Sequence, residues 1–273
     1  MFHWTFPMPR LQHLCTALVT LLFSITAGAQ LAEQVVDLPT RPGVTQRMLI
    51  VMPPEPKAAV ILLAGGHGGL QISSTGSIAW GKNNFVVRTR QLFAAQGLAV
   101  AVLDAPSDRQ SPPYLSGFRQ TVEHGKDLKA AIAWMRETTH LPVWLVGTSR
   151  GTQSAAYVAT QLSVAGALEG PDGIVLSSTI LTDPQGRPVP AMPLEKLRIP
   201  VLVVHHEQDN CQYCAFSDIS MLTRKLTHSA RSDVLSFKGG ENRGDPCGAL
   251  GYHGFSGIES DVVRQTAQWL LAR

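Results

Sequence analysis

The chain has 273 residues, 44% hydrophobic and 16% charged, an ordinary balance for a soluble globular protein and a length that suits one large domain. The formal net charge is only +3 and no Lys/Arg block occurs, so the composition gives no support to nucleic-acid binding.

At the N-terminus, Arg10 precedes the apolar run from Leu14 to Ile25, and Ala27-Gly28-Ala29 follows it. A positive segment, a short apolar core and an A-x-A site predict a secretory signal peptide over residues 1–29, cleaved after Ala29. Residues 30–273 are then a single domain, exported to the periplasm or the medium. The apolar run falls short of the about 20 residues that a permanent membrane anchor needs. Cys15 lacks the small-residue context of a lipid-attachment site. Removal of the signal leaves Cys211, Cys214 and Cys247 in an oxidising compartment, where one disulfide and one free thiol is the simplest outcome. Cys211-Gln212-Tyr213-Cys214 has no second ligand pair at matching spacing, so no metal site is expected.

Further along, Val44 to Met52 and Ala59 to Ala64 are apolar runs joined by the turn Pro53-Pro54-Glu55-Pro56. The second, AVILLA, is continuous, as befits a strand buried on both faces. Asn84 to Gln96 has apolar residues at helical spacing and stops at Gly97. Leu98 to Leu103 predicts a buried strand, His124 to Glu137 an amphipathic helix, Val143 to Val146 a strand, and Gly151 to Leu162 a helix of small residues. Strands at Gly173 to Ser177, Val201 to His205 and Asp233 to Phe237 follow, with helices at Phe216 to Leu226 and Ile258 to Leu271. The Pro-rich segment between Ser177 and Val201 reads as a loop with one short helix, not as an inserted cap. Such alternation indicates an α/β protein with a mostly parallel sheet covered on both faces.

Within this frame one stretch carries chemistry. Val143 to Val146 runs into Gly147-Thr148-Ser149-Arg150-Gly151 and then directly into a helix. The pattern G-x-S-x-G is weak alone, but a strand before it and a helix after it make a nucleophile elbow, with glycines wherever a side chain would strike the neighbouring strand or helix. Ser149 is the candidate nucleophile and needs a base. His253 stands out, because its glycine-rich loop GALGYHGFSG lies between the last strand and the last helix. The acid that holds the imidazole tautomer is expected just after the strand IPVLVVHH, where Asp209 is the first choice and Glu207 the fallback; Asp183 is a lesser alternative. Two backbone donors are required for an oxyanion: Arg150 N–H, and Gly66 or His67 N–H from Gly65-Gly66-His67-Gly68-Gly69. No Lys-Ser/Thr follows that glycine run, which excludes a phosphate-binding P-loop, and the spacing is not that of a dinucleotide fingerprint.

The motifs GGHGG, GTSRG, HHEQD and YHGF, in this order and on these elements, give the chain a resemblance to the α/β-hydrolase superfamily over essentially all of residues 30–273. The resemblance implies a mainly parallel eight-stranded sheet, a covalent acyl-enzyme and no cofactor. His206 departs from it, standing where many relatives have glycine. The function expected is an exported serine hydrolase of small carboxylic esters with the triad Ser149, Asp209 and His253. A serine peptidase or acyltransferase on the same residues is the alternative, and a non-catalytic binding module is a third. If the triad forms, the acid and histidine loops meet at one end of the sheet, so Cys211–Cys247 is the expected disulfide, with Cys211–Cys214 and Cys214–Cys247 as other pairings. The Arg150 side chain is left open between an anionic substrate group and solvent.

Overall fold

The computed structural model describes residues 1–4, 30–162, 169–184 and 186–272. By internal contacts the chain divides into Met1–Gln30 and Leu31–Arg273. The expected signal segment therefore lies, from residue 5 to residue 29, outside the described residues. Among the described residues no helix is long and apolar enough to cross a membrane.

The unit Leu31–Arg273 is built on one sheet of β1 (Glu33–Arg41), β2 (Val44–Val51), β3 (Ala58–Leu63), β4 (Leu98–Leu103), β5 (Val143–Thr148), β6 (Gly173–Ser177), β7 (Val201–His206) and β8 (Ser232–Phe237). The spatial order is β1-β2-β4-β3-β5-β6-β7-β8, antiparallel at the β1–β2 and β2–β4 pairs and parallel from β4 to β8. Every residue of β3, β4, β5, β6 and β7 is buried, the result expected for continuous Val/Leu/Ile runs.

Alternate residues of each central strand serve two different cores. Ala59, Ile61 and Leu63 of β3 join Leu145 of β5 on one face. That face is covered by Leu128, Ile132 and Met135 of α3 (Val122–Thr139) and by Ala155, Ala156 and Ala159 of α4 (Gly151–Leu162). Val60 and Leu62, with Trp144 and Val146, point to the other face. There α1 (Phe85–Arg88), α2 (Arg90–Ala95) and α6 (Glu259–Leu271) contribute Phe85, Phe93, Val263 and Trp269. Burial of each such aliphatic side chain is worth about 1.5–3 kcal/mol, so the sheet's rigidity at its C-terminal ends rests on both layers.

Three differences from the sequence reading have physical causes. Strand β1 was not anticipated: it contains Pro39, alternates half-buried and exposed residues, and pairs only with β2 at the sheet edge. The helix expected over Asn84 to Gln96 is two short helices broken at Thr89, whose hydroxyl turns back to donate to the Phe85 carbonyl at 2.7 Å. The helix expected over Phe216 to Leu226 shrinks to a 3₁₀ turn at Phe216–Asp218 and a single turn, α5 (Ser220–Thr223). Only Leu222 within α5 is buried, too small an apolar face to stabilise a longer helix. Between β6 and β7 the described residues hold two 3₁₀ turns, Val189–Ala191 and Leu194–Lys196, and no cap domain.

Helix α4 starts hard against β3. A methyl group at position 151 would lie 2.0 Å from the Leu63 carbonyl oxygen. Gly151→Ala is therefore expected to lower stability by about 1–3 kcal/mol or more through forced backbone displacement. The measurement is urea unfolding, where the midpoint should fall without a change in m.

Candidate active site

The turn from β5 into α4 places Ser149. Its φ of +51° is in the left-handed region, which a non-glycine residue occupies only when its surroundings impose it. The imposing contacts are specific. Ser149 N–H donates to the Ser177 carbonyl at 3.0 Å, continuing the β5–β6 pairing by one residue, and the Ser149 carbonyl accepts from Thr152 N–H at 2.9 Å. A methyl at position 147 would sit 2.5 Å from the Gly151 carbonyl oxygen, and one at position 65 would sit 2.9 Å from the Ser149 Cβ. The glycines thus permit three chain segments to converge on the serine.

Strand β7 leads into the candidate acid. Asp209 lies just beyond it in a turn closed by Asp209 N–H donating to the His206 carbonyl. Its buried carboxylate accepts Cys211 N–H on Oδ1 at 3.0 Å and His253 Nδ1 on Oδ2 at 2.9 Å. A carboxylate only accepts, so Nδ1 of His253 carries the proton and Nε2 is left with a lone pair. Among the described residues this buried Nε2 has no hydrogen-bond partner. It belongs to a residue that lines, with Ser149, Gly66, Thr148 and Asn84, one cavity of about 50 Å³. His253 itself sits in the turn Tyr252–Gly254, fastened by Ser178 Oγ donating to its carbonyl at 2.7 Å.

The other carboxylates are placed elsewhere. Glu207 is half-exposed and pairs with Lys238 at 3.1 Å and Ser236 Oγ at 3.0 Å. The Lys238 ammonium, with the Ser236 hydroxyl second, holds its carboxyl below the usual range. Asp183 accepts Arg150 Nη1 at 2.9 Å and Gln153 Nε2 at 3.0 Å. The Arg150 side chain is thus directed to Asp183 and not left in solvent.

Of the two oxyanion candidates after β3, Gly66 lines the cavity of Ser149 and His253. The His67 ring is instead held between Trp80, tilted against it at 3.6 Å between centroids, and Tyr114, stacked on it at 4.3 Å. Burial, with the Arg119 charge second, lowers its pKa. Among the described residues neither Arg150 N–H nor Gly66 N–H has a hydrogen-bond partner.

Sequence reasoning missed Arg119 and Asn84. Arg119 is buried and donates to the Ala64 carbonyl at 3.0 Å, the Gly66 carbonyl at 3.1 Å and Ser154 Oγ at 3.1 Å, so it grips the glycine loop. Burial, with the nearby Arg150 charge second, pushes its pKa down to about 9. Asn84 lines the Ser149 cavity with a buried, unpartnered Oδ1 among the described residues. Neither residue belongs to a recognisable motif; the only signal for Arg119 is a charged residue just before an amphipathic helix.

His206, the departure from the family pattern, stacks on Tyr252 with centroids 4.3 Å apart, and its Nε2 meets the Gly239 carbonyl at 2.9 Å. It braces the acid loop against the histidine loop. The same two loops are joined by a disulfide between Cys211 and Cys247, and Cys214 is a buried free thiol. Burial, with the Asp209 charge second, raises the Cys214 pKa and keeps it protonated. Cys211, Cys214 and His253 form the one cluster of metal-ligand type among the described residues, within 4.8 Å of one another. With Cys211 committed to the disulfide and His253 Nδ1 to Asp209, that set offers no coordinating triad.

No protein-family profile and no curated protein sequence matches the chain. Solved structures do. A dienelactone hydrolase from Anabaena variabilis aligns with a TM-score of 0.59 at 17% identity, over 89% of this chain and 98% of its own. An esterase from Pyrococcus furiosus aligns with a TM-score of 0.59 at 13% identity, over 88% and 92% of the two chains. An α/β serine hydrolase homologue from Coxiella burnetii aligns with a TM-score of 0.57 at 17% identity, over 88% and 97%. The chain has the α/β-hydrolase fold.

Closing the segment between Cys211 and Cys247, a sequence separation of 36, restricts the unfolded chain. In the chain-entropy treatment that is worth about 4 kcal/mol, less any native strain. Reduction, or Cys247→Ser, should therefore lower the thermal midpoint. Calorimetry with and without reductant checks it.

Burial sets a second expectation. It depresses His124 to about 3 and His205 to about 4 from an ordinary 6.5, with nearby positive charge the further cause for His124 and only a minor one for His205. The unfolded chain therefore binds protons at both sites before the native state does. Their contribution to stability is whole above pH 6.5 and is lost as pH falls toward 4 and then 3. Urea midpoints should decline between pH 6.5 and pH 4.5, above the main carboxylate range; a flat profile there contradicts the assignment.

Proposed function

We propose that the protein is an exported serine hydrolase that cleaves carboxylic esters through an acyl-enzyme on Ser149. The observation that carries this reading is the His253 imidazole. Its Nδ1 proton is fixed on buried Asp209, while its Nε2 is unpartnered among the described residues and His253 lines the cavity that Ser149 lines. A serine with an ordinary hydroxyl is a poor nucleophile, and this arrangement supplies the base it needs.

Ser149 Oγ attacks the ester carbonyl carbon as its proton passes to His253 Nε2. The imidazolium is stabilised by Asp209, and the oxyanion is received by the free N–H groups of Arg150 and Gly66 at the start of α4 and in the glycine loop. Collapse breaks the bond to the alcohol oxygen, which takes the proton from Nε2. Water then gives a proton to Nε2 and adds to the acyl carbon; the second collapse returns the acid and a protonated Ser149. Arg119, by holding the Ala64 and Gly66 carbonyls, keeps the loop that carries the second donor in place. A disulfide between the acid and histidine loops suits a protein exported to an oxidising compartment, as the signal segment over residues 1–29 implies.

Ser149→Ala should reduce kcat on a short-chain chromogenic ester by roughly 10⁴ to 10⁶ with the fold retained. Asp209→Asn should lose about 10⁴ by favouring the wrong tautomer, whereas Glu207→Gln should lose little. Steady-state kinetics on the three purified variants, with circular dichroism as the fold control, decide the roles. The reverse ranking of the two acids would transfer the part to Glu207. Comparison of ester with aminoacyl-amide substrates separates esterase from peptidase.

A further inference from the structure

Beside the elbow lies a second, larger cavity of about 430 Å³, within the size range of small-molecule sites. Its wall begins at Arg150, the residue directly after Ser149, and includes Arg119, Gln120, Gln153, Asp183 and Arg187. Three guanidinium groups thus surround one carboxylate.

The pairing among them is unequal. Asp183 is engaged by Arg150 and Gln153. Arg119 makes no ion pair among the described residues; its partners are two carbonyls and a hydroxyl, and its buried Nε has no partner. Arg187 likewise has no carboxylate among the described residues. Its Nε donates to Gln120 Oε1 at 2.8 Å, and its guanidinium lies 5.8 Å over the Tyr157 ring. Two positive charges are therefore uncompensated around a concave space, one of them buried, and an unpaired buried charge is costly unless something balances it.

The walls are also built, not draped. Gln120 Nε2 donates to the Arg187 carbonyl at 2.9 Å while its Oε1 accepts the Arg187 side chain, so the two residues clamp each other. Gln153 Nε2, on α4, reaches both Asp183 and the Arg187 carbonyl. The loop carrying Arg187 is thereby pinned to the segment before α3 and to the helix behind the nucleophile. Guanidinium forks held in this way match the planar, two-oxygen geometry of a carboxylate.

We propose that this cavity is the binding subsite for a carboxylate carried by the ester that Ser149 cleaves. The substrate class is then an acidic ester, such as the half-ester of a short dicarboxylic acid or an ester whose alcohol portion bears the acid. The proposal rests on the hydrolase reading of Ser149 and adds the charge of the substrate to it. The side chain of Arg150 and its backbone N–H divide the work: one faces the charged group across Asp183, the other the carbonyl under attack.

The test measures kcat/KM of the purified protein on matched pairs. On the acyl side, mono-4-nitrophenyl glutarate is compared with 4-nitrophenyl valerate; on the alcohol side, 4-acetoxybenzoate is compared with its methyl ester. The acidic member of one pair should be preferred by about tenfold or more, and that preference should shrink as salt is raised, since partly exposed charges are screened. Arg187→Gln should cut the acid-to-neutral ratio about tenfold, and Arg187→Lys, which keeps the charge and loses the fork, should restore part of it. Circular dichroism confirms that each variant is folded. Equal or better turnover of the neutral member in both pairs, with a ratio unmoved by Arg187→Gln, overturns the subsite while Ser149-dependent turnover leaves the hydrolase standing. If no ester is cleaved and a fluorophosphonate leaves Ser149 unlabelled, the hydrolase reading falls and the subsite falls with it.

Discussion

The arrangement depends on one steric constraint: the end of β3, the end of β5 and the start of α4 approach so closely that no side chain fits between them. Atoms 2.0 to 2.9 Å from the missing Cβ positions at Gly65, Gly147 and Gly151 leave glycine as the sole residue that fits without displacement. This crowding forces Ser149 into the left-handed region and lifts it out of the sheet. Strain at one serine is tolerated because the buried strands on either side, packed by two hydrophobic layers, cannot relax to relieve it.

On the opposite side of the site, order comes from tethers and not from crowding. The loops after β7 and β8 are irregular, and each alone would sample many positions. Four links act between them: the Asp209–His253 hydrogen bond, the Cys211–Cys247 disulfide, the stacking of His206 on Tyr252, and the His206 contact to the Gly239 carbonyl. Every link is local to the acid and base, so positional precision is concentrated where proton transfer would need it. Arg119 extends the same logic to the glycine loop, replacing a loop's own hydrogen bonds by a buried side chain.

Legibility in the sequence followed physical pattern. The central strands were readable because burial on both faces demands unbroken apolar runs, and the elbow was readable because its glycines are sterically obligatory. Strand β1 was not, because a half-exposed edge strand with a proline carries neither signal. Helix length at Ser220 was overread, since helical spacing says nothing about whether a neighbouring surface exists to bury it. Asp209 and His253 were readable as candidates because one lies in the turn just beyond a buried strand and the other in a glycine-rich loop between the last strand and the last helix, whereas Arg119 and Asn84 reach the site by tertiary packing that no spacing encodes. His206 was noticed as a departure, yet its stacking partner forty-six residues later could be named only once the two loops were seen together.

The sheet order has a consequence for biosynthesis. From β5 onward the strands are added in chain order from the centre of the sheet to its edge, β6, β7 and then β8. A chain emerging from the ribosome therefore presents β3, β4 and β5, and Ser149 just beyond β5, before Asp209 or His253 has been made. Domains fold as units and earlier segments are available first, so the growing polypeptide carries Ser149 before it carries either of the two loops that come to lie beside it. Assembly of the last edge then brings His253 to Asp209 and closes the bridge from Cys211 to Cys247. The order of the strands thus makes the cluster of Ser149, Asp209 and His253 one of the last features of the fold to be completed.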